Sequence, residues 1–106
     1  MSFEYTLRLA SAQDANTFGV RLRSCLLAVQ PEDAPLSVIW LRGPDTQRVW
    51  AFDVRLLVQD EQSWLLEISL YSLALYEVVR AALTGLEYRL DHEGGPRSLE
   101  HAFRLS

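Results

Sequence analysis

The chain has 106 residues, of which 49% are hydrophobic and 23% are charged, and its formal net charge is −4. That length suits one domain with a hydrophobic core and is too short for two, so residues 1–106 are expected to form a single domain. The composition is typical of a soluble globular protein. It contains no apolar run of the roughly 20 residues that span a bilayer. The first residues lack the basic and apolar blocks of a signal peptide, which predicts a cytoplasmic protein with no membrane contact.

Charge and cysteine usage exclude several classes of function. All ten basic residues are arginine, so the chemistry of a Schiff-base or phosphate-loop lysine is absent. A single cysteine, Cys25, excludes an internal disulfide and a cysteine-cluster metal site. The acidic balance argues against nucleic acid as a partner, because nucleic-acid binding depends on neutralising phosphates. A basic protein partner fits better.

The first third of the chain predicts a strand, a helix and a second strand. "FEYTLRL" (3–9) alternates apolar and polar residues, as a half-buried strand does. Ser11 and Asp14 have the spacing of a capping box at a helix start. Apolar residues then follow at helical spacing until Pro31 ends the run: Ala15, Phe18, Leu22, Cys25, Leu26 and Val29. After the loop "PEDAP", "LSVIWLR" (36–42) reads as a buried strand, and "GPDTQ" turns the chain.

Residues 48–71 predict a hairpin whose register can be derived from the apolar pattern. Large apolar residues occupy even positions on both arms: Trp50, Phe52, Val54, Leu56, Val58, Trp64, Leu66, Ile68 and Leu70. A loop of odd length centred on Glu61 puts both sets on one face, which is the predicted core face. The same register places Arg55 opposite Glu67 on the other face. Extended over the preceding turn, it places Trp40 opposite Trp50, so that all three tryptophans belong to the core.

The last third predicts a second helix and at least one more strand. Ser72 is expected to cap a helix whose apolar stripe is Leu75, Val79, Ala82, Leu83 and Leu86, with Gly85 near its end. "LEYRL" (86–90) alternates like a strand, and "HEGGPR" (92–97) reads as a turn. Residues 97–105 fit either an edge strand or a short helix, and we prefer the strand.

The predicted fold class is α+β, in the order β-α-β-β-β-α-β plus a tail. One mixed or mostly antiparallel sheet of five or six strands would carry two helices on one face. The hairpins make strands one, two, four and five run the same way, and right-handed crossovers place both helices on one face if the strand order is 1-2-3-4-5. Insertion of strand five between others is the alternative.

The odd-numbered face of the hairpin is the predicted partner-binding surface. About half of its residues are apolar, whereas a face turned only to water is more uniformly polar. Either the tail or a bend in the sheet covers it, or it is an interface to another protein or to a second copy. With the acidic turn after the first hairpin strand, the candidate binding residues are Asp53, Arg55, Leu57, Asp60, Glu61, Leu65, Glu67 and Tyr71.

No residue pattern predicts catalysis, a metal or a cofactor. His92 and His101 lie in or near a turn without metal-ligand spacing, and we expect both at the surface. Cys25 is expected to be a small core residue. Asp53 and Glu67 could form a paired carboxylate site, but Arg55 between them favours a structural ion pair.

The acidic turns "QPEDAP" and "QDEQ", together with Asp53 and Glu67 on the sheet face, give a profile that resembles the small immunity proteins of bacterial toxin systems. That resemblance implies a non-enzymatic inhibitor that binds and neutralises a cognate toxin, with a basic toxin domain as a candidate partner. It carries over no functional residue, because these proteins share no motif with this chain. The alternative is a homodimeric α+β domain with a small-molecule pocket between helices and sheet, and this alternative includes an enzyme.

Overall fold

A computed structural model describes residues 3–29, 35, 37–44 and 52–105. Within these residues the chain forms one open antiparallel sheet of six strands and three helices, which confirms the predicted α+β class. In chain order the elements are β1 (Phe3–Leu9), α1 (Ala12–Arg23), β2 (Val38–Leu41), β3 (Val54–Val58), β4 (Ser63–Ile68), α2 (Leu73–Ala82), β5 (Tyr88–His92), β6 (Gly95–Arg97) and α3 (Leu99–Ala102).

The strand order is β2-β3-β4-β1-β5-β6, and every neighbouring pair is antiparallel. The predicted order 1-2-3-4-5 is therefore wrong, and β1 runs opposite to β2, β4 and β5. β1 lies inside the sheet between β4 and β5, where its core-facing residues Tyr5, Leu7 and Leu9 are buried. A strand inside the sheet pairs along both of its edges, and its core-facing side chains are removed from water. Hydrophobic burial therefore favours this position for β1.

The helices and one face of the sheet enclose a single cluster of buried apolar residues. Phe18 of α1 packs edge-on against Trp64 of β4, with 6.0 Å between ring centroids. Tyr76 of α2 packs against Phe103, which follows α3, at 5.9 Å. The buried residues of α1, α2 and α3 therefore meet the same face of the sheet, where two helices had been predicted.

The predicted register of the β3–β4 hairpin is confirmed. Val58 pairs with Trp64, Leu56 with Leu66, and Arg55 with Glu67. The turn is closed by the Gln59 amide, which donates to the Ser63 carbonyl at 2.9 Å. The parity of the apolar residues was sufficient to set this register because a slip of one residue would expose the core set.

The register between β2 and β3 differs from the prediction. Trp40 pairs with Arg55 rather than with Trp50, which lies outside the described residues. Ile39 and Leu41 point into the core and are fully buried. The odd residues of β2 thus join the even residues of β3 in the core.

Helix α1 is shorter than predicted. Ser11 caps its start, its Oγ accepting from the Asp14 amide at 3.1 Å as the capping box predicted. The helix ends at Arg23, so the expected continuation through Cys25 to Val29 is wrong. Instead Ala28 forms a β-bridge with Leu41, and the Val29 amide donates to the Trp40 carbonyl at 2.9 Å. Residues 28–29 therefore pair with the outer edge of β2 instead of continuing the helix.

The tail is a helix, and the preferred strand assignment for 97–105 is wrong. Ser98 caps α3 through a 3.0 Å hydrogen bond from the His101 amide, and Phe103 is buried. The extra strand, β6, comes from the predicted turn: Glu93 and Gly94 have φ of 52° and 80°, as in the two-residue turns that close tight hairpins. Pro96 then sits on the sheet edge, where it cannot donate a hydrogen bond to a further strand.

Candidate functional site

The face of the sheet away from the helices, called the open face below, is the candidate functional site. Its residues include Glu4, Thr6, Arg8, Val38, Trp40, Arg55, Leu57, Leu65, Glu67, Arg89 and Asp91. Alternation along each strand places them there, because their neighbours in sequence fill the core. Most are partly or fully exposed.

One row of paired residues crosses the open face from β2 to β1. Val38 pairs with Leu57, Leu57 with Leu65, and Leu65 with Thr6. The three apolar members are adjacent and each is partly exposed. Directly paired side chains on one face lie in contact distance, so these residues form a continuous apolar strip.

An aromatic pair borders this strip. The rings of Trp40 and Phe52 lie 5.7 Å apart, and the Arg55 guanidinium lies 4.7 Å from the centre of the Phe52 ring. Both aromatic residues are only partly buried. The core positions predicted for them are therefore wrong, since the β2 register turns Trp40 outward and Phe52 lies just before β3 begins.

Arg55 and Glu67 form the ion pair that the hairpin register predicted. Arg55 Nε and Nη2 lie 2.9 and 2.6 Å from Oε2 of Glu67. The Glu67 side chain is only 9% exposed, against 31% for Arg55. An almost buried carboxylate needs a partner, so Arg55 is fixed in place beside the apolar strip.

Asp53 does not belong to the open face. It is buried, and its Oδ2 accepts the Gly43 amide at 2.8 Å. The Asp53 carbonyl accepts from the Ser69 amide at 2.8 Å, so the residue ties together the ends of three strands. Asp53 and Glu67 therefore each have their own partner, as the structural interpretation expected, and Asp53 is unsuited to meet another protein.

The acidic turn between β3 and β4 projects into solvent at the end of the sheet. Asp60 and Glu61 are exposed. A hydrogen bond from the Gln62 amide to Asp60 Oδ1, 2.9 Å long, is the main cause that lowers the pKa of the Asp60 carboxyl. Arg8 lies 4.0 Å from the same carboxylate. The Asp60 carboxyl is therefore ionised at neutral pH.

Tyr71 lies away from the other predicted binding residues. Its ring is 6.4 Å from that of Phe3, and the Arg104 guanidinium lies 4.6 Å from the Tyr71 ring centre. β4 ends at Ile68, so alternation no longer sets the direction of Tyr71. Of the eight predicted residues, the sheet brings Arg55, Leu57, Leu65 and Glu67 together, with Asp60 and Glu61 at the adjoining turn. Sequence reasoning missed Val38 and Trp40, because "VIWL" has no alternation that shows which residues face outward.

The charges of the open face are balanced. It carries as many guanidinium groups as carboxylates: Arg8, Arg55 and Arg89 against Glu4, Glu67 and Asp91. The net charge of −4 therefore comes from elsewhere, including the acidic turn. Recognition on the face itself would depend on apolar contact and on the placement of individual charges.

His92, expected at the surface, is partly buried, with 21% of its side chain exposed. Its ring packs at a tilt against Tyr5 with 4.7 Å between centroids, and its Nδ1 lies 2.8 Å from the Glu4 carbonyl. His101, in contrast, is exposed. Among the described residues, no group of three or more His, Cys, Asp or Glu side chains is placed to hold a metal ion.

Comparison with family models, curated proteins and solved structures found no match to this chain. In the described part of the chain, no helix combines the length and the apolar character needed to cross a membrane.

Proposed function

We propose that this protein is a non-enzymatic binding module that holds another protein against the open face of its sheet. The observation that carries the proposal is the apolar strip of Val38, Leu57 and Leu65, which is partly exposed and bordered by Trp40 and Phe52. Contiguous apolar surface of this kind costs hydration free energy in a monomer and often marks a protein contact.

The strip has the features of an interface centre. Its side chains stand on paired strands, so little conformational entropy is lost when a partner orders them. Central apolar and aromatic residues supply most of the binding energy in protein interfaces, and surrounding polar groups exclude water. The fixed Arg55–Glu67 pair offers such a polar border.

The partner proposed is a basic protein domain. The net charge of −4 and the exposed Asp60 and Glu61 attract cationic surfaces and raise association rates. Within this class we propose a cytoplasmic bacterial immunity protein that inhibits a cognate toxin. Support comes from the acidic profile and from the small α+β fold.

The first experiment is capture of the partner from native cells with tagged protein. Leu57→Ser and Leu65→Ser should each abolish or strongly reduce capture, because they remove the centre of the strip. Leu73→Ser is the matched control: Leu73 is an exposed leucine on α2, away from the open face. Melting temperatures should show that each variant is folded.

Kinetics with the captured partner then separate the two contributions. Asp60→Arg with Glu61→Arg should slow association and weaken its dependence on salt, whereas Leu57→Ala should mainly speed dissociation. Capture that is equal in the wild type and in both strip variants would contradict the proposal. If the wild type is a dimer that Leu57→Ser makes monomeric, the occupant of the face is a second copy of the chain instead.

A further inference from the structure

A cavity lies on the helix side of the sheet, between β1, β5 and the end of α3. The cavity measures about 350 Å³ and is lined by Phe3, Tyr5, His92, His101 and Arg104. This volume is at the lower end of the roughly 300–1,000 Å³ of small-molecule sites. It is separate from the open face, and it lies on the side of the sheet where the alternative interpretation of the sequence expected a small-molecule pocket.

The exposed Arg104 side chain lies over aromatic rings and not beside a carboxylate. Its guanidinium carbon lies 5.0 Å from the ring centre of Phe3 and 4.6 Å from that of Tyr71. Among the described residues, no carboxylate oxygen lies within ion-pair distance of its guanidinium. This guanidinium therefore keeps its five N–H donors for a ligand.

The backbone of Arg104 is also unusual for an arginine. The Arg104 amide donates to the His101 carbonyl at 3.0 Å, and the Leu105 amide donates to the Glu100 carbonyl at 2.9 Å. These bonds end α3 in a Schellman motif, in which the residue at the Arg104 position is usually glycine. Arg104 has φ of 56°, in the left-handed region that disfavours side chains. Helix termination alone would favour glycine here.

Tyr5 adds a hydroxyl group that has no partner among the described residues. Only 5% of this residue is exposed, yet it lines the cavity. Burial is the main cause that raises the pKa of Tyr5, so its hydroxyl keeps its proton and remains a donor at neutral pH. Arg104 and Arg97 are close enough to oppose that rise in pKa. The Tyr71 hydroxyl is likewise buried without a partner among the described residues.

The walls of the cavity are aromatic and fixed. The Tyr5 and His92 rings pack against each other at a tilt, and the hydrogen bond from His92 Nδ1 to the Glu4 carbonyl, 2.8 Å long, orients the imidazole ring. Glu93 approaches His92 Nε2 to 3.8 Å, but its side chain is 79% exposed and turned to water. A chain of net charge −4 thus contains a local site of cationic and hydroxyl donors between flat apolar walls.

We propose that this cavity binds a small organic oxyanion, a carboxylate or phosphate ester on a planar apolar body, with Arg104 and Tyr5 as its donors. The Arg104 fork matches two oxygens of either anionic group, and the planar body lies against the aromatic walls. This site does not depend on the proposed protein-binding function, and either can fail alone.

Titration of the intact protein with benzoate and phenyl phosphate, followed by NMR, tests the proposal. Both anions should give saturable shifts at residues lining the cavity, with dissociation constants on the order of 1 mM for ligands of this size. The tighter of the two identifies the preferred anionic group. Benzyl alcohol, which lacks the charge, and inorganic phosphate, which lacks the ring, should each bind at least about tenfold more weakly, a factor that corresponds to the loss of one good interaction.

Arg104→Gly should weaken binding at least about tenfold, as expected for the loss of a charge-assisted hydrogen bond. Its melting temperature should be unchanged or raised, because glycine suits φ of 56°. Arg104→Gln retains the side-chain stem and should lose binding equally, so the result does not depend on the glycine variant. Tyr5→Phe should weaken binding severalfold, whereas Arg89→Gln, on the open face, should not change it. The proposal would be overturned if neither anion binds saturably, if benzyl alcohol binds equally well, or if both Arg104 variants bind as the wild type does.

Discussion

Substitution of Gly19 by alanine has two opposing effects on stability, one from helix propensity and one from core packing. Gly19 is buried in the middle of α1, against the Trp64 ring. A methyl group there would lie 2.9 Å from Cζ2 and 3.2 Å from Cη2 of Trp64. The ring is restrained on its other sides, since Nε1 donates to the Ala15 carbonyl at 3.3 Å and Phe18 packs edge-on at 6.0 Å.

The two effects have opposite signs and different sizes. Alanine in place of glycine inside a helix stabilises by about 1 kcal/mol. Forcing one methyl group into a packed core costs about 1–3 kcal/mol. We therefore expect Gly19→Ala to destabilise the protein by about 1 kcal/mol, which corresponds to a fall in melting temperature of roughly 4–8 °C for a domain of this size.

The second half of the prediction is a change of sign. Phenylalanine at position 64 lacks the ring atoms that the methyl group would meet, so in a Trp64→Phe background Gly19→Ala should stabilise by up to about 1 kcal/mol. Urea unfolding of the four proteins in this double-mutant cycle measures both values. Stabilisation by Gly19→Ala in both backgrounds would refute the packing argument, because it would show that the ring moves aside without cost.

Three further outcomes can be measured by similar means. Trp64→Ala should cost about 3–5 kcal/mol, as loss of a buried aromatic residue does, whereas Phe52→Ala should cost only about 1 kcal/mol, the value of partly exposed ring contacts; equal urea midpoints for the two would contradict this difference in burial. Gly85→Ala should cost about 1 kcal/mol by the same assay, because φ of 80° disfavours a side chain although no atom lies within 4 Å; an unchanged midpoint would count against this. The Tyr76 hydroxyl donates to Glu100 Oε1 at 2.7 Å and is the main cause that lowers the pKa of that carboxyl. Tyr76→Phe should raise this pKa in an NMR titration, and the stability lost by the variant at neutral pH should shrink as pH falls through the lowered pKa of Glu100; a loss independent of pH would contradict the linkage.

Local patterns determined those parts of the fold in which the interacting residues lie within one short stretch of the sequence. The hairpin register follows from apolar parity and turn length within residues 54–68, and it placed Arg55 opposite Glu67 correctly. The start of α1 follows from Ser11 and Asp14, three residues apart. These features need no knowledge of the rest of the molecule, because exposure of the core set or loss of the cap penalises every alternative.

The candidate site was predicted only in part, because only some of its residues lie within one stretch of the sequence. Leu57, Leu65 and the Arg55–Glu67 pair came from the hairpin, whereas Val38 and Trp40 depended on a register across a long connection. The apolar run "VIWL" is compatible with either face, and only the packing of Ile39 and Leu41 under the helices decides between them.

Tertiary structure alone decided which distant segments became neighbours. Insertion of β1 between β4 and β5, pairing of Ala28 with Leu41, and docking of α3 bring together residues far apart in sequence. The local propensities of these segments allowed other conformations, as residues 97–105 fitted either a strand or a helix. Burial of a shared core selected among these conformations. The cavity arises in this way: Tyr5, His92 and Arg104 come from the two ends of the chain, and no spacing in the sequence relates them. Local patterns limit each element to few conformations, but only the summed burial of all elements fixes their arrangement.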